Sequence, residues 1–186
     1  MTPPQGFAQR RGAALERTVE KGVFFGIVAA IPMGICALLA SGTYQARGFY
    51  TPAYDVAFII DPNTLGMSLA KAASGERFFM SRESFVFGLA VHVMVAGVFG
   101  AIFAVLATKL RLQGTRILLG GVIYGLAVML VMSALVLPLA APAFGAGTTI
   151  SQMGSDIGWA TFAALHAIYG LALGAWIYVR PQDLEG

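Results

Sequence analysis

The amino-acid sequence predicts an all-α integral membrane protein built as a bundle of four transmembrane helices. Two observations predict it: 58% of the 186 residues are hydrophobic while only 11% are charged, and four long runs lack Asp, Glu, Lys and Arg. So few charges cannot cover a water-soluble protein of this size. Since crossing the hydrocarbon core takes about 20 apolar residues, each run is long enough to span a bilayer.

The four runs also divide the chain. We predict spans at about 22–41, 84–108, 117–141 and 157–179, which form a single membrane domain over 22–179. The rest of the chain comprises an N-terminal segment 1–21, an outer loop 42–83 between the first two spans, and a tail 180–186. The runs are continuously apolar rather than alternating, which indicates helices and not the strands of a membrane barrel.

Basic residues predict the orientation of the spans. Cations cluster at one end of each helix: Arg10, Arg11, Arg17 and Lys21, then Lys109, Arg111 and Arg116, then Arg180. Because cytoplasmic ends carry the excess of Lys and Arg, both termini should be cytoplasmic, in a bacterial-type inner membrane. A cleaved signal peptide is the alternative for the first span, but its apolar run is longer than usual. The net charge of +3 fits membrane orientation and gives no reason to expect nucleic-acid binding.

The outer loop is too apolar for a plain linker. Its second half carries a helix-start signal, Asn63-Thr64 after Asp61-Pro62, followed by apolar residues. We therefore predict short helices on the outer surface. They either cap the bundle through interfacial burial or form a docking face for a neighbouring subunit.

The chain contains a faint internal repeat. GVFFGIVAAIPM from Gly22 resembles GVIYGLAVMLVM from Gly121, and each following span carries a histidine eight residues before a glycine, His92 with Gly100 and His166 with Gly174. This pattern predicts two hairpins of like orientation related by an axis along the membrane normal. Chance similarity between glycine-rich apolar helices is the competing interpretation.

Small residues at helical spacing predict close helix contacts. The positions are Gly26, Ala30 and Gly34 in the first span, Gly97, Gly100 and Ala101 in the second, Gly121 and Gly125 in the third, and Gly170 and Gly174 in the fourth. Such faces favour a tight bundle. They also allow contacts with other membrane subunits or with a second copy of the chain.

The two intramembrane histidines carry the sharpest chemical hypothesis. His92 and His166 at matching depth could provide the axial ligands of a b-type haem, with the neighbouring glycines leaving space for the macrocycle. The plainer alternative is that each imidazole hydrogen-bonds across a helix interface. Two histidines supply too few ligands for a zinc or iron site, so no other metal site is predicted.

No nucleophile and base pair, phosphate loop or metalloprotease helix is present in the sequence, so we do not expect an enzyme. The spans also lack the charged residues of ion-coupled pumps. The function we predict is a non-catalytic membrane subunit or accessory protein of a larger complex. The alternatives are a haem-binding or quinol-interacting anchor that uses His92 and His166, and a small-solute channel or carrier.

The last span contains a pattern of the form H-x-x-Y-G-x-x-L-G, made by His166, Tyr169, Gly170, Leu173 and Gly174. It resembles the pattern in uncharacterised four-helix inner-membrane proteins of the YagU-like kind. The resemblance implies a prokaryotic inner-membrane protein, and His166, Tyr169, Gly170 and Gly174 are the positions it carries over. The long outer loop departs from it.

Overall fold

The computed structural model describes residues 5–144 and 149–179. Across these two ranges every regular element is helical. Four helices are long and apolar enough to cross a membrane: Gly12–Gly42, Arg82–Lys109, Thr115–Ala143 and Trp159–Val179. The predicted all-α bundle is confirmed, and the chain is a multi-pass membrane protein. The side chains of Arg10 and Arg11, and the tail from Arg180, lie outside the described residues.

Helix α1 (Gln5–Gly42) is much longer than the predicted first span. It begins in the polar N-terminal segment and continues into the apolar run without a break, with Pro32 inside it. A proline removes one backbone hydrogen bond and crowds the carbonyl one turn earlier. The helix persists because hydrocarbon offers the remaining backbone groups no other partner.

Two short helices fill the predicted outer loop, α2 (Thr51–Ala57) and α3 (Pro62–Ala73). We call residues 43–81, which contain both helices and their linkers, the cap. Each helix has a proline in its first turn, where the missing N–H leaves no intrahelical acceptor unpaired. Asp61 caps α3, because its carboxylate accepts a hydrogen bond from the Thr64 backbone N–H at 3.3 Å. The helix start predicted from the sequence is therefore present.

The second span is helix α4 (Arg82–Lys109), and the third is interrupted. Helix α5 (Thr115–Val131) passes into a π-helical turn (Met132–Val136) and then into α6 (Leu137–Ala143). In that turn the Leu137 N–H bonds the Met132 carbonyl, five residues back. The cause is Pro138, which has no N–H and would crowd the carbonyl one α-helical turn earlier. The widened turn lets the helix run through the proline instead of ending there.

Helix α7 (Met153–Ile157) precedes the last span, α8 (Trp159–Val179). Gly158 separates them with a φ of 86°, in the left-handed region that favours glycine. The four spans pack as two tight pairs, α1 with α4 and α5 with α8, and the contact of α1 with α8 joins the pairs. Contact between α4 and α5 is slight.

The core lies where the two pairs meet. It holds large side chains from all four spans, among them Phe25, Phe103, Ile117, Tyr169 and Leu173, all almost fully buried. A second apolar cluster at the cap end joins Leu137, Ala141 and Ile150 with Phe58 and Ile59 of the segment after α2. Small residues thus join the helices within a pair, while large apolar residues join the pairs to each other and to the cap.

Candidate functional site

The α1/α4 pair is held by backbone contact at glycine. A Cβ added to Gly26 would collide with the Ala96 carbonyl oxygen and lie 2.9 Å from the Gly100 Cα. A Cβ on Gly100 would in turn collide with the Gly22 carbonyl oxygen. Only glycine permits this approach, so both positions act as contact points of the two backbones.

The α5/α8 pair repeats this contact. A Cβ on Gly121 would collide with the Gly170 carbonyl oxygen and lie 3.2 Å from the Gly174 Cα. One turn further towards the cap, a Cβ on Gly125 would collide with the His166 carbonyl oxygen. The glycines beside His166 are therefore packed against the backbone of α5.

The contacts between helices define a correspondence between the two hairpins that differs from the one given by aligning their sequences. The sequence pattern matched Gly22 with Gly121. In the structure Gly26 and Gly121 are the equivalent residues. Each faces the carbonyl group of the residue four positions after the partner helix's histidine, and the Cα of the residue eight positions after it. The packing of the two pairs is thus equivalent when α5 is shifted by one helical turn relative to α1.

The remaining predicted packing positions lie in the core, at the α1/α4 contact, or in open space. Ala30 is 3% exposed, inside the core. Gly97 faces side chains, with the Val23 Cγ1 at 3.3 Å from an added Cβ, and Ala101 lies against Gly22. Gly34 differs from all of these, because nothing in the described structure comes within 4 Å of an added Cβ.

His166 is buried and has a hydrogen-bond partner. Its Nδ1 lies 2.8 Å from the Phe162 carbonyl oxygen, and its ring packs edge-on against the Phe162 ring with centroids 4.5 Å apart. If Nδ1 carries the proton, as a carbonyl partner requires, the Nε2 lone pair is left as an acceptor. The His166 imidazole is therefore satisfied by a carbonyl of its own helix, one turn earlier, and not by a group of another helix.

His92 lies at the corresponding position of α4 and is half-buried. Its Nε2 is shielded from solvent and has no hydrogen-bond partner among the described residues. The ring lies near the Ala30 backbone and close enough to His166 for the two groups to interact electrostatically. However, the small residues beside each are covered by helix backbone, so they leave no slot for a flat macrocycle.

Two tyrosines link the pairs, and sequence reasoning identified only one of them. The Tyr169 hydroxyl donates to the Ala96 carbonyl at 2.7 Å, and the Tyr124 hydroxyl donates to the Phe99 carbonyl at 2.7 Å. Tyr169 was identified only through the family resemblance, and Tyr124 was missed. A phenol in mid-span was the available signal, because its hydroxyl must find a partner inside the protein.

The cap carries a buried ion pair. Arg47 holds the Asp55 carboxylate in a bidentate arrangement, with both N–O distances at 2.9 Å and the side chains 14% and 7% exposed. Burial raises the pKa of Asp55, and the charge of Asp156 in α7 raises it further. The Arg47 guanidinium opposes this increase. Gln45 Nε2 also donates to the Ile157 carbonyl at 2.6 Å, so the cap is bonded to the second hairpin.

A second polar cluster fixes the cap to the start of α4. The Ser84 hydroxyl donates to the Asp61 carboxylate at 2.6 Å, and the Thr64 hydroxyl donates to the same group. These hydrogen bonds, from Ser84 first and Thr64 second, hold the pKa of Asp61 below its ordinary value. A carboxylate that caps α3 while accepting a bond from α4 ties the two helices together.

No family model, curated protein or solved structure matches this chain. The resemblance of the last span to YagU-like proteins therefore stays a prediction. The fold and composition establish a multi-pass membrane protein in contact with lipid through its apolar helices.

Proposed function

We propose that this chain is a non-catalytic subunit or accessory protein of a larger membrane complex. It resides in a bacterial-type cytoplasmic membrane with both termini in the cytoplasm, the orientation that its basic residues predict. It assembles with other membrane subunits, or with a second copy, through a small-residue face and through the cap.

One observation carries this proposal: most polar groups inside the spans have structural partners. Tyr124 and Tyr169 bond carbonyls of α4, His166 bonds the preceding turn, and the Ser133 hydroxyl bonds the Met129 carbonyl at 2.8 Å. Transport sites and active sites need convergent polar groups that remain free to meet a ligand. Two of these bonds join separate helices and two satisfy a side chain within its own helix, an arrangement suited to a structural role.

The face of α1 around Gly34 is the proposed contact with a partner helix. Gly34 is open, and the flanking Ile31 and Ile35 are 57% and 53% exposed. A glycine between exposed β-branched residues allows another helix to approach closely while the isoleucines pack around it. Inside the protein, small residues at the same four-residue spacing, Gly22 with Gly26 and Ala96 with Gly100, lie in backbone contact, which supports the same use of Gly34.

The test compares two substitutions during native extraction. Gly34→Leu places a large side chain on the proposed face, where its Cβ has no described atom within 4 Å. Ala127→Leu makes the same kind of change at an exposed position of α5, away from that face. Native mass spectrometry after mild detergent extraction should find a partner or second copy with the unmodified chain and Ala127→Leu, and lose it with Gly34→Leu. A chain that is always a lone monomer contradicts the proposal.

The second candidate is a b-type haem or quinol site, favoured by the unpartnered Nε2 of His92 and by the electrostatic interaction of His92 with His166. Such a site requires a gap between the histidines, since the small residues next to them are covered by backbone. Absorption spectroscopy of protein purified from haem-replete cells decides it. A Soret band that disappears in both His92→Ala and His166→Ala supports this candidate, and its absence from the unmodified protein eliminates it.

A further inference from the structure

A continuous row of aromatic rings joins the cap to the lipid-facing side of α4. The rings belong to Phe78, Phe49, Tyr50 and Phe85, and we call them the aromatic ribbon. Their successive centroid distances are 5.6, 5.1 and 5.4 Å. The backbone N–H of Phe49 donates to the Arg77 carbonyl at 2.8 Å, which joins the segment before α2 to the segment after α3. The ribbon is therefore a fixed structure rather than a set of independent side chains.

The position of the ribbon relative to the spans follows from α4. Phe85 lies at the start of the uncharged run, one residue after Ser84, and the adjacent Val86 and Leu89 are 62% and 48% exposed on the same helix. Those two side chains belong to the apolar surface that lipid covers. The ribbon continues this surface beyond the end of the uncharged run and finishes at Phe78, which is 72% exposed.

The residues around Phe78 have the chemistry of a membrane interface. Met80 is 46% exposed, and the exposed Arg77 and Arg82 flank it. Aromatic rings are enriched at the level of the lipid headgroups, and arginine stems lie along apolar surface while their guanidinium groups reach phosphates. A lipid surface accounts for an exposed aromatic ring and an exposed methionine two residues apart better than an aqueous surface does.

We propose that the aromatic ribbon seats the cap in the headgroup layer of the bilayer, with Phe78 and Met80 inserted among phospholipids and Arg77 and Arg82 at their phosphates. The occupant of this face is lipid, continuous with the lipid around α4. The inference does not depend on the proposed partner complex, since it concerns the chain alone in a bilayer.

The test uses the full chain in phosphatidylcholine vesicles. Cys36 is the single cysteine, so a Cys36→Ala background allows one environment-sensitive fluorophore to be attached at Phe78→Cys. The matched control is Ser74→Cys, an exposed position bracketed by the solvent-exposed ion pair of Lys71 and Glu76. Met80→Cys gives a second reporter if the Phe78 variant does not fold.

The expected result is a blue-shifted emission at positions 78 and 80, quenched by phospholipids that carry a nitroxide near the headgroup. Position 74 should emit as in water and resist the same quencher. Emission and quenching at both ribbon positions equal to those at position 74 would overturn the proposal, because the face would then be open to water and available to a protein. Strong quenching only by nitroxide deep in the acyl chains would overturn it as well.

Discussion

Glycine-to-alanine substitutions provide the sharpest test of how the two helix pairs are held. Gly121→Ala adds a Cβ that collides with the Gly170 carbonyl oxygen and lies 3.1 Å from its carbonyl carbon and 3.2 Å from the Gly174 Cα. All three atoms belong to the backbone, so no side-chain rotation relieves the collision. Helices α5 and α8 must move apart.

The magnitude follows from two opposing effects. Over-packing a tight contact costs about 1–3 kcal/mol, and a backbone collision belongs at the upper end. Replacing glycine by alanine in a helix returns about 1 kcal/mol. We therefore expect Gly121→Ala to lower the free energy of unfolding by about 2 kcal/mol. Gly34→Ala, whose Cβ has no described atom within 4 Å, should raise it by up to about 1 kcal/mol.

The assay is unfolding by sodium dodecyl sulphate in mixed micelles, followed by the fluorescence of the chain's own tryptophans. Trp176 stacks on Phe25 with ring centroids 6.5 Å apart, so its emission should report the separation of α8 from α1. Gly97→Ala gives an intermediate case, because its Cβ meets a Val23 methyl group at 3.3 Å, a contact that a shift of a few tenths of an ångström relieves. Equal changes in unfolding free energy for Gly34→Ala and Gly121→Ala would refute the reasoning. The effect of the same substitution would then not depend on whether the glycine contacts another helix.

Three further predictions concern polar contacts. Asp55→Ala should cost about 3–5 kcal/mol in the same unfolding assay, because it leaves Arg47 buried without its anion, and the double change to leucine at both positions should recover most of the loss. A double variant as unstable as Asp55→Ala would contradict this. Tyr169→Phe removes one bond to α4 and should cost about 1 kcal/mol, whereas Tyr178→Phe, at a residue 48% exposed, should have no measurable effect. Equal effects of the two changes would be inconsistent with a structural role for the Tyr169 hydroxyl. The pKa of Asp61 is lower in the folded protein than in the unfolded chain. The ionised Asp61 carboxylate therefore stabilises the fold at pH values above the ordinary aspartate pKa. This stabilisation is lost as the pH falls through the folded-state pKa. Proteolysis of the cap should accelerate over that acidic range in the unmodified chain. An Asp61→Asn variant should lack that part of the acceleration, and an unchanged profile in the variant would show that Asp61 is not responsible.

The spans were predictable because they depend on a property that each residue carries by itself. Hydrocarbon solvent excludes charge over about 20 residues, so the uncharged runs reveal the helices without any knowledge of packing. Their ends were less predictable. Helix α1 starts well before the apolar run, because a polar segment can extend a helix beyond the membrane at little cost.

The contacts between helices could be predicted only in kind. The small-residue spacing identified Gly26, Gly121 and Gly170 as close-contact positions but could not assign their partners, because several registers place glycine against backbone. Gly34 has the same spacing and lies in open space. The cap was the least predictable part, since the pair of Arg47 and Asp55 depends on a turn that brings together two residues of no distinctive local pattern.

The register of the two pairs explains where the cap enters the bundle. Ala30 and Ala96 occupy the positions that correspond to Gly125 and Gly170, so the first pair carries methyl groups at two positions where the second has glycine. Towards the cap, the first pair therefore has fewer glycine contacts than the second.

The next equivalent position strengthens this interpretation. In α8 the residue four before the histidine is Phe162, whose ring packs on His166. In α4 the residue four before the histidine is Gly88, where an added Cβ would collide with the Ala53 carbonyl of α2. A backbone segment of the cap thus contacts the first pair at the position where the second pair carries an aromatic side chain. The cap is therefore an integral part of the bundle, and a substitution that fills Gly88 should expel α2 rather than separate the spans.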